Sequence, residues 1–186
     1  MTDPNLVPDS RASQAFVAEA RALLSGEYLS KIERCLETLT DEQLWWRANE
    51  QSNSIGNLLL HLSGNARQWI VVGLGGAVDQ RRRQSEFDQR AVISKAELIS
   101  RLKETLADVD AVLDGFDPAL LLATYHIQAS DVSALHAILH VVEHFSMHTG
   151  QIILLTKLLT ESDLRFYDFS TGGPVHTWHE PRSSSQ

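Results

Sequence analysis

Apolar residues return every three to four positions through four long segments, and runs of alternating apolar and polar residues are too few to build a sheet. That period belongs to the α-helix, because side chains three and four apart share one face. The first segment runs from about Ser10 to Leu39, with Leu29, Ile32, Leu36 and Leu39 as its clearest stripe. Ser25-Gly26 marks a kink or a break inside it. The second runs from about Ser54 to Leu74, after a Ser-Asn-Ser capping cluster, and Gly73, Gly75 and Gly76 end it. The third runs from about Lys95 to Leu113, with Leu98, Leu102, Leu106, Val109 and Leu113 facing a core. The fourth runs from about Val132 to Leu159, with Asp131 or Ser130 as its cap. Four such helices predict an all-α chain built as a four-helix bundle.

The 186 residues fit a single domain over 1–186, with its core between about 10 and 160 and a tail from 162 to 186. Three connections separate the helices. Thr40–Asn53 carries Trp45-Trp46, which either line a pocket mouth or plug one end of the bundle. Asp79–Arg90 is polar and holds Arg81-Arg82-Arg83, read as a solvated loop. Gly115–Ser130 contains Pro118 and a short extended piece, Thr124–Ile127, whose Tyr125 and His126 either reach a site at the bundle end or serve a turn.

A net charge of −8 argues against a nucleic-acid surface, which needs clustered Lys and Arg against phosphate. No stretch approaches eighteen uninterrupted apolar residues, and the first ten residues carry neither a cationic nor an apolar leader region. The expectation is no membrane span and no signal peptide. Cys35 is the single cysteine, so no intrachain disulfide forms and a reducing cytoplasm fits. Its neighbours Ile32 and Leu36 suggest a buried structural thiol rather than a nucleophile.

The chemistry concentrates in a histidine ladder on the fourth helix: His136, His140, His144 and His148. An i, i+4 pair of imidazoles is half of a metal site. With about 100° per residue and Phe145 at the centre of the apolar face, His148 falls roughly 60° away and His144 roughly 100°. His140 and His136 fall near 140° and 180°, on the outer side. Only His144 and His148 therefore face the interior or its edge. His61, on the second helix, stands beside Asn57, Asn65 and Gln68. That stripe is either a solvated flank or the polar wall of a cavity. If it is the wall, three neutral imidazoles from two helices form a facial nitrogen set. Zinc accepts that set with one position left open, and nickel, iron or cobalt also suit imidazole. His176 and His179 in the tail are expected to be exposed.

The pieces DEQLWWRANEQSNSIGNLLLHLSGN and HVVEHFSMHTGQI resemble the DinB/YfiT-like superfamily of metalloenzymes, over about Ala12 to Leu159. The resemblance implies a fold of four bundled helices and a metal triad of His61, His144 and His148. It also implies low-molecular-weight thiol cofactors, such as bacillithiol or mycothiol, because some relatives resemble thiol-dependent transferases or isomerases. Two classes of function follow. One is a divalent-metal-dependent enzyme, a thiol-dependent S-transferase or related hydrolase acting on a small-molecule substrate, with Asn57, Asn65 and Gln151 contacting ligands or cofactor. The other is a non-catalytic, stress-associated helical binding protein whose metal is structural or absent. Family members pair through helix faces, and the outward positions Leu139 and Leu154 fit a homodimer.

Overall fold

The structure, a computed structural model, describes residues 10–178. It is predominantly helical. The first long helix is continuous: α1 (Ser10–Arg21) passes through a π-helical turn (Ala22–Tyr28) into α2 (Leu29–Leu36). Both junctions, Arg21 and Tyr28, keep right-handed helical angles, and the Leu29 N–H bonds the Leu24 carbonyl five residues back. The kink-or-break signal at Ser25-Gly26 thus becomes a widened turn. The helix stops at Leu36, short of the expected Leu39. The Lys95 ammonium bonds the carbonyls of Leu36 and Leu39, each at 2.9 Å, and so satisfies that end of the chain.

A one-turn helix, α3 (Asp41–Leu44), opens on a capping box between Thr40 and Gln43. A second capping box, Ser54 with Asn57, opens α4 (Ile55–Ala66). This helix also widens into a π-helical segment (Arg67–Val72), where the N–H groups of Gly73 and Gly75 bond carbonyls five residues back. Gly76, at φ +73°, ends it in a conformation that favours glycine. The expected polar loop at 79–90 contains a short helix, α5 (Arg83–Asp88), which the period did not reveal.

Ser94 caps α6 (Lys95–Asp114), whose buried residues are the predicted Leu98, Leu102, Leu106, Val109 and Leu113. After a 3₁₀ turn (Pro118–Leu120), β1 (Thr124–Ile127) pairs antiparallel with β2 (Ser130–Ser133). Gln128 and Ala129 both have positive φ at the tip, as a tight hairpin turn demands. This hairpin shifts the start of the last long helix, α7 (Ala134–Thr160), relative to expectation. Asp131 and Ser130 belong to β2, and the cap is Ser133, whose hydroxyl accepts from the His136 N–H.

The core lies where α4, α6 and α7 meet the first helix, around Leu24, Ile32, Leu59, Leu62, Leu102, Ile138, Phe145 and Ile152. Cys35 is fully buried there, as expected of a structural thiol. Trp45 seals the start of α4: its indole lies against Gly56, where a Cβ would come within 2.8 Å, and its Nε1 donates to the Ile93 carbonyl. Trp46 stays exposed. The tail forms a small hairpin, β3 (Tyr167–Asp168) with β4 (Val175–His176), strapped to α2 by Arg34 bonding the Thr177 carbonyl and Lys31 lying over the Trp178 ring. His176 stacks on Trp178, while His179 lies outside the described residues. No described helix is long and apolar enough to cross a membrane.

Candidate metal centre

Helices α4 and α7 pack side by side, and their facing edges bring the two histidine-bearing segments together. His61, His144 and His148 each offer a ring nitrogen, and these nitrogens lie within 4.8 Å of one another. His61 Nε2 is 2.8 Å from His144 Nε2, which is 3.2 Å from His148 Nε2. Three nitrogens bound at 2.0–2.1 Å to one tetrahedral ion would stand about 3.3 Å apart. Small ring rotations connect the two arrangements.

The outer ring nitrogens decide which tautomers are present. Glu86, on α5, places Oε2 2.8 Å from His61 Nδ1. Burial pulls the Glu86 carboxyl up, but the hydrogen bonds from Arg81 and His61 outweigh it and hold the group below its ordinary value. An ionised carboxylate only accepts, so His61 Nδ1 carries the hydrogen and Nε2 presents a lone pair. On α7, Gln151 Oε1 sits 2.7 Å from His148 Nδ1 and fixes the same tautomer there. His144 completes the set as a neutral ring. Burial, then His148 and His61, push its pKa down to about 3. The lone pairs of His61 and His148 therefore both face His144 Nε2, and with the His144 hydrogen on Nδ1 the three nitrogens fit a cation with nitrogen affinity.

Glu86 is held by a second network. Arg81 donates through Nε to Oε1 at 2.7 Å and through Nη2 to Oε2 at 2.8 Å, a bidentate pair. Arg81 Nη1 also donates to Gln68 Oε1. The Arg81 side chain is 6% exposed and that of Glu86 10%. This corrects the reading of Arg81-Arg82-Arg83 as a solvated loop: Arg82 and Arg83 are exposed, but Arg81 turns inward. Gly64 makes the approach possible, since a Cβ there would lie 2.1 Å from Glu86 Oε1. Phe87 covers His61 from the same short helix, with ring centroids 4.7 Å apart.

The other expected residues separate. Gln151 joins the site through His148. Asn65, one turn beyond His61, donates Nδ2 to His140 Nε2 at 3.1 Å, and its buried Oδ1 has no partner among the described residues. Asn57 is fully buried within the fold. Its Oδ1 takes the Arg47 guanidinium and the Ser54 hydroxyl, and its Nδ2 donates to the carbonyls of Glu86 and Gln89. It anchors the α5 segment over α4 and so acts on the site through Glu86. His140 is half-buried and stacks on Trp69 with centroids 4.0 Å apart, more enclosed than its place on the wheel implied. His136 is exposed. Tyr125 packs on the core, and His126 pairs with Asp131 at the surface, so neither belongs to the set. The sequence does not reveal the site roles of Glu86 and Arg81; an acidic residue inside an Arg-rich connection is the one available signal.

Residues 11–172 match the model of the family described as "Protein of unknown function (DUF1572)". No curated protein matches the chain significantly. Among solved structures, a conserved protein from Enterococcus faecalis superimposes with a TM-score of 0.61 at 15% identity, over 82% of this chain and 98% of that one. A DinB-like protein from Bacillus cereus superimposes with a TM-score of 0.57 at 16% identity, over 71% and 85%. At that identity the likeness concerns the fold.

Proposed function

We propose, for a chain that belongs to the DUF1572 family and with it to the DinB/YfiT-like superfamily, a divalent-metal-dependent enzyme whose ion is held by His61, His144 and His148. The four long helices are best read as the bundle of that superfamily. The reaction that fits is transfer to or from a low-molecular-weight thiol, or a related hydrolysis, on a small-molecule substrate. Zinc or nickel suits three imidazoles best, with iron or cobalt as further occupants. The observation that carries the reading is the pair of locked tautomers: Glu86 and Gln151 each take the outer hydrogen of a histidine and leave its inner nitrogen free to ligate.

Bound there, a divalent ion supplies Lewis acidity that lowers the pKa of a coordinated water or thiol. The protein's own groups do the rest. Glu86 increases the electron density of the His61 ring by accepting its Nδ1 hydrogen, and Arg81 keeps Glu86 ionised. His144 stays neutral across the physiological range, because burial disfavours its charged form. Asn65, whose buried Oδ1 has no donor among the described residues, is the group we assign to accept a hydrogen bond from a ligand on the α7 side. A cytoplasmic homodimer through the outer face of α7, where Leu139 and Leu154 are 47% and 58% exposed, belongs to the same reading.

Among the described residues no fourth His, Cys, Asp or Glu joins the set, which supports an open catalytic position rather than a closed structural site. The test is optical. Protein purified without a His-tag is loaded with cobalt and titrated with small thiols. A new thiolate-to-cobalt absorption band that saturates is the expected result. A spectrum indifferent to every thiol, with four protein ligands around the ion, would replace the enzyme with a structural metal protein.

A further inference from the structure

Beside Glu86 lies a cavity of about 300 Å³ whose lining includes none of the three imidazoles. Its walls include Arg67, Gln68, Asp79, Arg81, Arg82 and Glu86. Three guanidiniums thus meet two carboxylates. Both carboxylates are already engaged. Glu86 is bound by Arg81 and His61. Asp79 accepts from the Arg81 backbone N–H and from Gln68, which hold it ionised below its ordinary value.

Two of the three guanidiniums, those of Arg67 and Arg82, are less fully used. Arg67 makes a surface pair with Asp108 at 3.0 Å, both side chains about half exposed, a contact readily exchanged for a better one. The Arg82 guanidinium has no partner among the described residues. Gln68 Oε1 accepts from both Arg81 and Gln128 while its Nε2 donates to Asp79, so the floor is braced from several sides. The volume lies at the lower end of ligand sites, room for an acidic head group and a few further atoms. Surplus planar donors on a braced wall are the complement of an oxyanion, which guanidinium binds in bidentate fashion.

We infer that this cavity binds a small oxyanion-bearing ligand, a carboxylate or a phosphate, gripped by Arg82 and Arg67 with Arg81 shared between the ligand and Glu86. Because Arg81 also positions Glu86 on His61, occupancy here and occupancy of the histidine cluster are coupled, and the coupling is reciprocal. The anion site itself stands without the metal reading, since its groups form it in the metal-free protein.

The experiment is calorimetric titration of chelator-treated protein with inorganic phosphate and, separately, with malonate. Ionic strength is held constant with sodium chloride. The expected result is saturable one-to-one binding of at least one anion. It should weaken about tenfold or more in Arg82→Ala, the loss of one charge-assisted contact, and be unchanged in Arg101→Ala. Arg101 is an exposed arginine on α6 outside the cavity. Phosphate binding without malonate binding identifies a phosphoryl ligand; the reverse identifies a carboxylate. Heats that do not saturate, or an Arg82→Ala protein that binds as tightly as the parent, would overturn the proposal. Arg82 is exposed, so its removal leaves the fold intact and the comparison interpretable.

Discussion

Replacing Gly64 with alanine puts the site's supporting geometry under direct strain. The new Cβ would lie 2.1 Å from Glu86 Oε1 and 2.9 Å from Arg81 Nε, whereas ordinary contact begins near 3.4 Å. The carboxylate oxygen must retreat by 3.4 − 2.1, about 1.3 Å. That carries its 2.7 Å bond with Arg81 beyond hydrogen-bond range. Losing one charge-assisted bond costs about 1.5–3 kcal/mol. Alanine returns about 1 kcal/mol, because glycine is a poor helix former in a helix interior. The net loss is about 0.5–2 kcal/mol, which for a domain of this size lowers Tm by about 1–8 °C. Thermal melting of the metal-free protein measures it. A double-mutant cycle sharpens the result: in a Glu86→Ala background the carboxylate clash is gone and Arg81, released from its partner, can move off the Cβ, so Gly64→Ala should stabilise by up to about 1 kcal/mol. In the parent background, metal affinity should fall about 10- to 100-fold as the partner of His61 is displaced. A Gly64→Ala protein with an unchanged or raised Tm would show that Glu86 does not sit against α4 as described.

Other outcomes follow from the same geometry. His148→Ala should abolish stoichiometric metal binding, while His136→Ala, at an exposed position, should leave it intact; metal analysis of both proteins decides. The metal-free protein should lose stability as pH falls. His144 in the folded state is held at about 3 by burial and by His148, His61, His140 and Arg81, against about 6.5 unfolded. Between those values the unfolded chain binds the extra proton, so stability drops from near pH 6.5 downward. Urea titrations from pH 8 to 4 should show this slope, and His144→Gln should flatten it. Light scattering at high micromolar concentration should return a dimer that Leu154→Glu converts to monomer; a monomeric parent protein would remove the dimer.

The long helices were legible because each buries a continuous stripe, and burial is what the apolar period encodes. All five residues assigned to the core side of the third segment are buried in α6. The convergence of His144 and His148 was legible for the same reason: both lie beside Phe145 on one helix. The supporting groups were not. Glu86 sits on a six-residue helix too short to show a period, and it reaches His61 only because Gly64 lacks a side chain. His140 shows the limit of a helical wheel, which places a side chain relative to its own axis alone. Trp69, on the neighbouring helix, reaches across and encloses it. Asn57 read as a polar neighbour of His61, yet its amide is committed to the cap and to the α5 backbone, partners separated from it by up to 32 residues.

The two π-helical turns give the chain a tolerance that a uniform helix lacks. A π turn holds one residue more than the α-helical turn it replaces. Removing one residue from Ala22–Tyr28 or from Arg67–Val72 lets the local bonds close four residues back instead of five, with the flanking helix faces kept in phase. All three imidazoles lie outside both segments. The chain can therefore shorten by a residue at either place without rotating a single ligand away from the others. The same deletion in α4 or in the middle of α7 would turn everything beyond it by about 100°.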